Sequence, residues 1–307
     1  MNVYQFKAMG TGFLLEGFSE QDSKILEEKI RIHEQIFSRF ISDSELSAFN
    51  KEPKRFKVES KEFLNCMTEA LKLYQVTRGI FNPFMGHEIE QLGYFITFDK
   101  IKDEIVLENT PKLYDRSHLG IPFVIDYDTL TIEKKTNVKV DLGGFAKGWS
   151  AHNLKEWSIQ NGYRSGLIDA GGDIEVWGNN PLGEPWVIGV SNPFDYETSD
   201  TLITLIKDAS IATSSVMKRK WKSDKGTVNH HIIDPKTRRS SDSDIIQISI
   251  FSEHLGISEA FSKALLISGI NGIVKFDCEI LEYQIGIIAY TQSGELFTND
   301  LLKKYIE

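Results

Sequence analysis

The residues best suited to chemistry lie in a glycine-rich segment, where residues 140–148 read VDLGGFAKG. The pattern predicts an apolar strand, a glycine turn and a helix start, in that order. Such a turn suits phosphate binding, because glycines let the main chain approach a ligand and N–H groups at a helix start point outward. Lys147 adds a full positive charge. The spacing fits neither GxxxxGKS/T nor GxGxxG, so a structural turn is the alternative at this point.

A second glycine pair lies in residues 169–173, which read DAGGD. Glycine weakens a strand unless a bulge or a closely approaching ligand requires it. The flanking Asp169 and Asp173 suit a general base or a cation ligand, and a solvated turn is equally compatible. Residues 212–215 read ATSS and supply three hydroxyl groups at a predicted strand end. A turn or a helix cap is the structural explanation for those hydroxyls.

Two adjacent histidines, His230 and His231, open the segment HHIIDP. In an extended segment their imidazoles point to opposite faces, so we expect only one of them to enter a site. A zinc site that uses both rings is therefore disfavoured. Packing alone and a functional role are about equally compatible with the pair.

The elements that must position these residues follow from apolar periodicity. Helical spacing predicts helices over residues 20–38, 63–74, 147–162 and 258–268. Short β-branched or aromatic runs predict strands over residues 138–141, 166–176, 186–190, 202–206, 245–251 and 285–290. Helices and strands lack a regular βαβ alternation, which favours the α+β class over a doubly wound sheet. No repeat or linker divides the chain, so we expect one domain over residues 1–307.

Composition excludes several classes of protein. With 307 residues, of which 41% are hydrophobic, the chain can bury a sizeable core. Its 44 acidic against 35 basic residues give a net charge of -9, which argues against a nucleic-acid or anionic-membrane binder. The two cysteines lack CxxC spacing, so a metal knuckle or disulfide framework is not expected. No segment approaches the ~18 apolar residues of a membrane span.

Taken in order, these segments resemble the ApbE family of FAD:protein FMN transferases. Eight ordered matches carry the resemblance, and they span most of the chain. The matching segments are MGT at 9–11, SRF, SEL and Asn within 38–50, a glycine-to-proline turn at 79–83, DLGGFAKG at 141–148, GGD at 171–173, PW at 185–186, ATS at 212–214 and HIIDP at 231–235.

The resemblance implies one ApbE-like domain with mixed, largely antiparallel sheets and flanking helices. It implies an enzyme that moves FMN from FAD to a Thr or Ser hydroxyl of an acceptor flavoprotein, forming a phosphoester and releasing AMP. In the family a divalent metal, Mg²⁺, bridges the FAD phosphates. Such a transfer depends mainly on positioning and on neutralising developing charge.

The resemblance also implies roles for individual residues. The catalytic residues would be His231, which would assist proton removal from the acceptor hydroxyl, and Asp141. The metal ligands would be the Gly144 carbonyl and Glu259. The FAD-binding residues would be Met9, Asp141, Gly143, Lys147, Thr213, Ile232 and Lys263.

One departure from the family affects the metal. The family's last metal motif reads roughly DALATAL, and residues 259–265 here read EAFSKAL. Glutamate can coordinate Mg²⁺, but the protonated Lys263 has no lone pair to replace a threonine ligand. In one interpretation Glu259 and Lys263 form a solvated i,i+4 pair. In the other, the Lys263 ammonium takes the place of the metal and neutralises the FAD diphosphate directly. One unit charge would then attract the diphosphate with roughly 4 kcal/mol at a separation of ~4 Å and an effective dielectric constant of ~20.

This departure leaves alternative functions open. A relative that binds FAD without catalysis would act as a carrier, sensor or interaction module. An FAD pyrophosphatase would need only water in place of the acceptor hydroxyl. We expect a monomer or homodimer without nucleic-acid or membrane partners. Because the MGT segment begins at residue 9, without room for a leader, we also expect cytoplasmic residence, although family members are often exported.

Overall fold

The computed structural model describes residues 3–94, 105–106, 120–224 and 226–307. The α-helices are α1 (Glu20–Phe37), α2 (Glu45–Lys51), α3 (Lys61–Val76), α4 (Gly86–Gln91), α5 (Ala146–Gln160), α6 (Leu255–Ser268), α7 (Ile270–Ile273) and α8 (Asp277–Glu282). Short 3-10 helices cover Val274–Phe276 and Asp300–Lys304.

The strands alternate irregularly with these helices. They are β1 (Val3–Ala8), β2 (Thr11–Glu16), β3 (Arg55–Lys57), β4 (Ile105–Val106), β5 (Phe123–Asp126), β6 (Thr131–Lys134), β7 (Gly166–Ala170), β8 (Ile174–Trp177), β9 (Val187–Asn192), β10 (Asp195–Thr204), β11 (Ala209–Ser215), β12 (Lys220–Ser223), β13 (Val228–His230), β14 (Ile233–Asp234), β15 (Arg239–Ser240), β16 (Ile245–Ser252), β17 (Gly286–Thr291) and β18 (Leu296–Thr298).

The chain separates into two compact units. The first comprises residues 1–31, 147–217 and 242–307, and the second comprises residues 32–146 and 218–241. The sheets are largely antiparallel, which confirms the predicted α+β class. The expectation of one domain over residues 1–307 stays a prediction.

An eight-stranded sheet forms the centre of the first unit. Its order is β1-β2-β7-β8-β11-β16-β17-β18, and every neighbouring pair is antiparallel. Strand β16 reads IIQISIFS and is buried along its whole length, which indicates that both faces of the sheet are covered. Helix α6 packs on β11 and β16. Two hydroxyl contacts join helix α6 to strand β11. Ser258 Oγ donates to the Ser210 carbonyl at 3.0 Å, and Ser262 Oγ lies 2.8 Å from Ser214 Oγ.

A buried carboxylate fixes the start of helix α6. Glu175 is fully buried, and its oxygens accept from the Lys155 ammonium at 3.0 Å and the Leu255 N–H at 3.0 Å. The His152 Nδ1 lies 2.8 Å from the same carboxylate. His254 stacks on His152 with ring centroids 3.6 Å apart, and its Nδ1 accepts the Gly256 N–H as the helix cap. Burial and the neighbouring His152 lower the pKa of His254 to about 3.

The second unit is built on two three-stranded sheets, β3-β6-β5 and β13-β12-β4, and a β14-β15 pair. Phe49 packs edge-on against Phe56 and Phe123. The buried Lys134 ammonium donates to the carbonyls of Phe49 and Glu52 at 2.7 and 2.8 Å, where helix α2 ends. None of the helices in the described ranges is both long enough and apolar enough to span a bilayer.

The helix predictions are confirmed, and α6 begins three residues earlier than its apolar pattern indicated because His254 caps it. Two strand predictions are wrong. Residues 138–141 pair with no strand among the described residues; instead the Asn50 side chain bonds both the N–H and the carbonyl of Val140 at 2.8 Å. The run 166–176 is a hairpin of β7 and β8, because Gly171 and Gly172 take positive φ values of 72° and 92°.

Acidification should destabilise the protein through His254. The unfolded histidine takes up a proton below its ordinary pKa of about 6.5, whereas the folded one stays neutral until about pH 3. Stability is therefore present above about pH 6.5 and is lost as the pH falls towards 3. Between pH 7 and pH 5 the loss from this residue should be about 2 kcal/mol. The variant His254→Asn keeps a capping side chain but does not titrate.

Urea unfolding of both proteins at the two pH values measures this effect. The free energy of unfolding of the variant should fall by about 2 kcal/mol less than that of the wild type. Equal losses in the two proteins would contradict the prediction.

Candidate functional site

The glycine turn after residue 140 is shaped by Asp141, which lies in the second unit. One oxygen of its carboxylate accepts the Gly143 N–H at 2.7 Å, and the other lies 2.8 Å from Arg39 Nε. A Cβ at Gly143 would lie 2.9 Å from the first of these oxygens, so the tight turn requires glycine here. Gly144 follows, partly buried, immediately before helix α5. Both carboxylate oxygens already have partners, which favours a positioning role for Asp141 over proton transfer.

Arg39 is itself held firmly. Its side chain is 5% exposed, and its Nη2 donates to the Tyr94 carbonyl at 2.6 Å. The guanidinium lies over the rings of Phe40 and Tyr94, with centroids 4.1 and 5.0 Å away. A second carboxylate, that of Glu90, lies 3.8 Å from Nη1. These contacts position the guanidinium of Arg39, which in turn orients the carboxylate of Asp141.

In the first unit, Lys147 lies between the buried carboxyl group of Glu259 and the partly buried carboxylate of Asp173. Its ammonium donates to Asp173 Oδ2, and it donates to Glu259 Oε1 at 2.6 Å. The side chains of Lys147, Asp173 and Glu259 are 12%, 13% and 2% exposed. These residues come from the start of helix α5, the β7–β8 turn and helix α6, so one ammonium joins three elements of the unit.

The pKa values of Lys147, Asp173 and Glu259 depend on their burial and on the charges of their neighbours. Burial opposes the charge on Lys147, but the carboxylates of Asp173 and Glu259 outweigh it and raise the pKa of the lysine. Burial acts against the charged form of Asp173 too, yet Lys147 and Lys263 lower its pKa. At Glu259 burial prevails over the same two ammonium groups and raises the pKa. The two acids are thus shifted in opposite directions.

Glu259 and Lys263 do not form the solvated surface pair considered above, because Glu259 is only 1% exposed. Within the described part of the chain, Glu259 Oε2 is buried without a hydrogen-bond partner. Lys263 is partly buried, and its ammonium donates to the Glu259 carbonyl at 3.2 Å. Of the two interpretations of this pair, the solvated surface pair is therefore wrong, and the contact of Lys263 is with the main-chain carbonyl of Glu259.

The second glycine pair is a turn that places Asp173. Asp169 Oδ1 accepts the Gly172 N–H at 2.6 Å, and burial raises the pKa of Asp169. A Cβ at Gly171 would lie 1.9 Å from Thr11 Oγ1, so only glycine fits. The Thr213 N–H donates to Asp173 Oδ1 at 3.0 Å. A solvated turn is therefore the wrong interpretation for Asp173, whose carboxylate is enclosed.

The remaining predicted residues lie elsewhere in the two units. Met9, in the β1–β2 turn of the first unit, has a positive φ of 50° and packs partly buried on the core. In the second unit, His230 is buried with its Nε2 2.9 Å from the Ser241 carbonyl. His231 follows it and is partly exposed, and Ile232 is buried. The two histidines thus differ in exposure, as their alternation predicted.

The structure brings some of the predicted residues together within each unit. In the first unit Lys147, Thr213, Glu259 and Lys263 surround Asp173. In the second unit Asp141, Gly143 and Gly144 share one turn, whereas His231 and Ile232 belong to another segment. The sequence suggested Asp173 only as a candidate general base or cation ligand beside a glycine pair, and it did not single out Arg39. Their only signals were the SRF and GGD motifs, since their partners are remote in sequence.

Gly148 is a further residue that the sequence did not single out individually. A Cβ at this position would lie 2.9 Å from Glu259 Cδ and 3.1 Å from Leu255 Cγ. The glycine therefore lets Glu259 lie against helix α5, where its carboxylate reaches Lys147.

The sequence is similar to those of known proteins. A family model described as the ApbE family matches residues 9–281. The chain is 28% identical over 278 residues to a FAD:protein FMN transferase of Vibrio cholerae serotype O1, covering 85% of this chain and 79% of that protein. It is 26% identical over 250 residues to a FAD:protein FMN transferase of Treponema pallidum, covering 77% and 68%.

Solved structures show the same fold. The flavin transferase ApbE from Vibrio cholerae superposes with a TM-score of 0.81 at 22% identity, covering 99% of this chain and 98% of that one. The ApbE protein from Thermotoga maritima superposes with a TM-score of 0.84 at 21% identity, covering 100% and 99%. These likenesses confirm the fold that the sequence motifs indicated.

Replacing Gly148 with alanine should destabilise the protein. An exposed helical Gly→Ala change gains up to about 1 kcal/mol, but here the added methyl group collides with Glu259 and Leu255. We expect a net loss of about 1–3 kcal/mol in the free energy of unfolding, measured with urea.

A double-mutant cycle isolates the collision with Glu259. In a Glu259→Ala background, Gly148→Ala should cost at least about 1 kcal/mol less than in the wild type. The same cost in both backgrounds would show that the glycine does not serve the approach of Glu259.

Proposed function

Because the chain belongs to the ApbE family, we propose that it is a FAD:protein FMN transferase acting on an acceptor flavoprotein. The observation that carries this proposal is the similarity to transferases of this name over 85% of the chain. The enclosed Lys147 supports it, since a cation at a helix start suits an anionic substrate. The non-catalytic and pyrophosphatase alternatives have no comparable support.

The reaction would exchange one phosphorus–oxygen bond for another. The oxygen of an acceptor Thr or Ser hydroxyl bonds to the FMN-side phosphorus, and the bond from that phosphorus to the AMP oxygen breaks. AMP leaves with the electron pair, and the hydroxyl proton passes to a base. We assign that base to His231, a partly exposed residue that follows the buried His230. Asp141 supports catalysis by shaping the glycine turn.

The cofactor-binding roles remain proposals by resemblance. Lys147 and Lys263 supply positive charge for the diphosphate of FAD, and Gly143 supplies main-chain approach. The further assigned residues are Met9, Asp141, Thr213 and Ile232.

Magnesium is the metal that the family resemblance implies, with Gly144 and Glu259 as its ligands. It would neutralise charge on the diphosphate when bound. Glu259 Oε2, which has no hydrogen-bond partner among the described residues, could serve as one metal ligand. The ammonium of Lys263, however, stands where the family has a threonine oxygen, and it donates to the Glu259 carbonyl. Among the described residues, no three His, Cys, Asp or Glu side chains form a metal-binding group. The donor set does not fit magnesium, so no step runs through it.

The partner and context are also proposals. The acceptor is a flavoprotein with a Thr or Ser flavinylation site, and the enzyme itself is a monomer or homodimer. Residence in the cytoplasm stays a prediction from the sequence.

A flavinylation assay tests the function. Purified protein, FAD and a threonine-bearing acceptor domain, with and without Mg²⁺, should give a covalently fluorescent acceptor band and an equal amount of AMP. His231→Ala should lower the rate by about 10²–10⁴-fold, because the hydroxyl proton loses its acceptor. Gel fluorescence and chromatography of AMP measure both products.

Matched variants separate the outcomes. Lys236→Ala changes an exposed side chain in the same loop and should leave the rate unaltered. An acceptor with Thr→Val should remain dark. A normal rate with His231→Ala would remove the proposed base, and AMP release without acceptor would indicate hydrolysis instead of transfer.

A further inference from the structure

Four charged side chains of the first unit form what we call the charge cluster: Lys147, Asp173, Glu259 and Lys263. Lys147 donates to both carboxylates, at 2.6 Å in the case of Glu259. Lys263 donates to the Glu259 carbonyl at 3.2 Å, and its charge acts on both acids. The cluster therefore holds two ammonium groups beside two carboxyl groups.

This composition balances charge without any added ion. Asp173 and Glu259 can contribute two negative charges, and Lys147 and Lys263 contribute two positive ones. With threonine at 263 the same group would carry one net negative charge, which attracts a divalent cation. With lysine there, the group has no net negative charge to attract a divalent cation, and the second ammonium repels it.

The placement of the lysines suits an anion. Lys147 lies in the first turn of helix α5, where main-chain N–H groups and the helix dipole favour negative charge. Lys263 lies one helical turn after Glu259 on the same face of α6. An ammonium carries three N–H donors, of which Lys147 directs two at carboxylates.

We propose that the charge cluster replaces the divalent cation, so that this chain binds the diphosphate of FAD through Lys263 and Lys147 and needs no metal for that binding. The inference rests on the proposed function, because it presupposes that FAD is the ligand. It reassigns Glu259 from metal ligand to anchor for the two ammonium-bearing segments.

Calorimetric titration of FAD into the flavin-free protein tests this inference, once in excess EDTA and once in excess Mg²⁺. The wild type should bind FAD with the same Kd in both buffers, within about twofold. Lys263→Thr should weaken binding in EDTA by at least about tenfold, because one full charge near the diphosphate is lost. Mg²⁺ should recover part of that loss, since threonine restores an oxygen ligand.

Controls show whether the effect belongs to this position. Lys303→Thr removes an exposed ammonium whose side chain is 81% exposed, and it should leave the Kd unchanged in both buffers. Lys263→Gln, which removes the charge but keeps most of the length of the side chain, should weaken binding in EDTA as Lys263→Thr does. Thermal melts of each variant confirm that it is folded. Electron paramagnetic resonance of Mn²⁺ should show free ion with the wild type and bound ion with Lys263→Thr.

The outcomes are distinct. Wild-type binding of FAD that disappears in EDTA and returns with Mg²⁺ would overturn the inference and leave the proposed function standing. An unchanged Kd for folded Lys263→Thr in EDTA would also overturn it. Wild type that binds no FAD in either buffer would overturn the proposed function itself, and the inference with it.

Discussion

The ammonium of Lys147, enclosed between Asp173 and Glu259, is the interaction on which the first unit's site depends. Taking one charge out of water is costly, and the two carboxylates repay that cost only because the geometry is close. Removing one partner from such a buried group typically costs about 3–5 kcal/mol. The ammonium therefore keeps the β7–β8 turn, the start of α5 and the middle of α6 in one arrangement.

Two features allow helix α6 to bring Glu259 close to Lys147. Gly148 removes the side chain that would otherwise hold Glu259 away from helix α5. Glu175 fixes the first turn of α6 by accepting from the Leu255 N–H and the Lys155 ammonium. Helix α6 is thus held both at its start and, through Glu259, one turn further along. These contacts position its charged residues, which suits the diphosphate-binding role that we propose for them.

The position of Lys263 changes the chemistry available to this family member. A threonine donates an oxygen to a metal, whereas an ammonium supplies charge directly and excludes a cation from its surroundings. Charge neutralisation is a main requirement of phosphoryl transfer, and in the metal-free binding that we propose Lys263 supplies part of it. The histidine and the glycine turn follow the family pattern.

The sequence by itself determined the four longest helices of the described chain, the strands β9, β10, β16 and β17, the α+β class and the family, because periodicity and short motifs are local signals. It also indicated Lys147, Glu259 and His231 through motifs. Only the tertiary structure decided that Asp173 is the partner of Lys147, that Arg39 orients Asp141, and that Asn50 takes the place of a strand beside Val140. Those partners are distant in the chain, and burial arises only when the elements pack. For the same reason only the structure decided that Glu259 is buried, which rules out the solvated pair with Lys263.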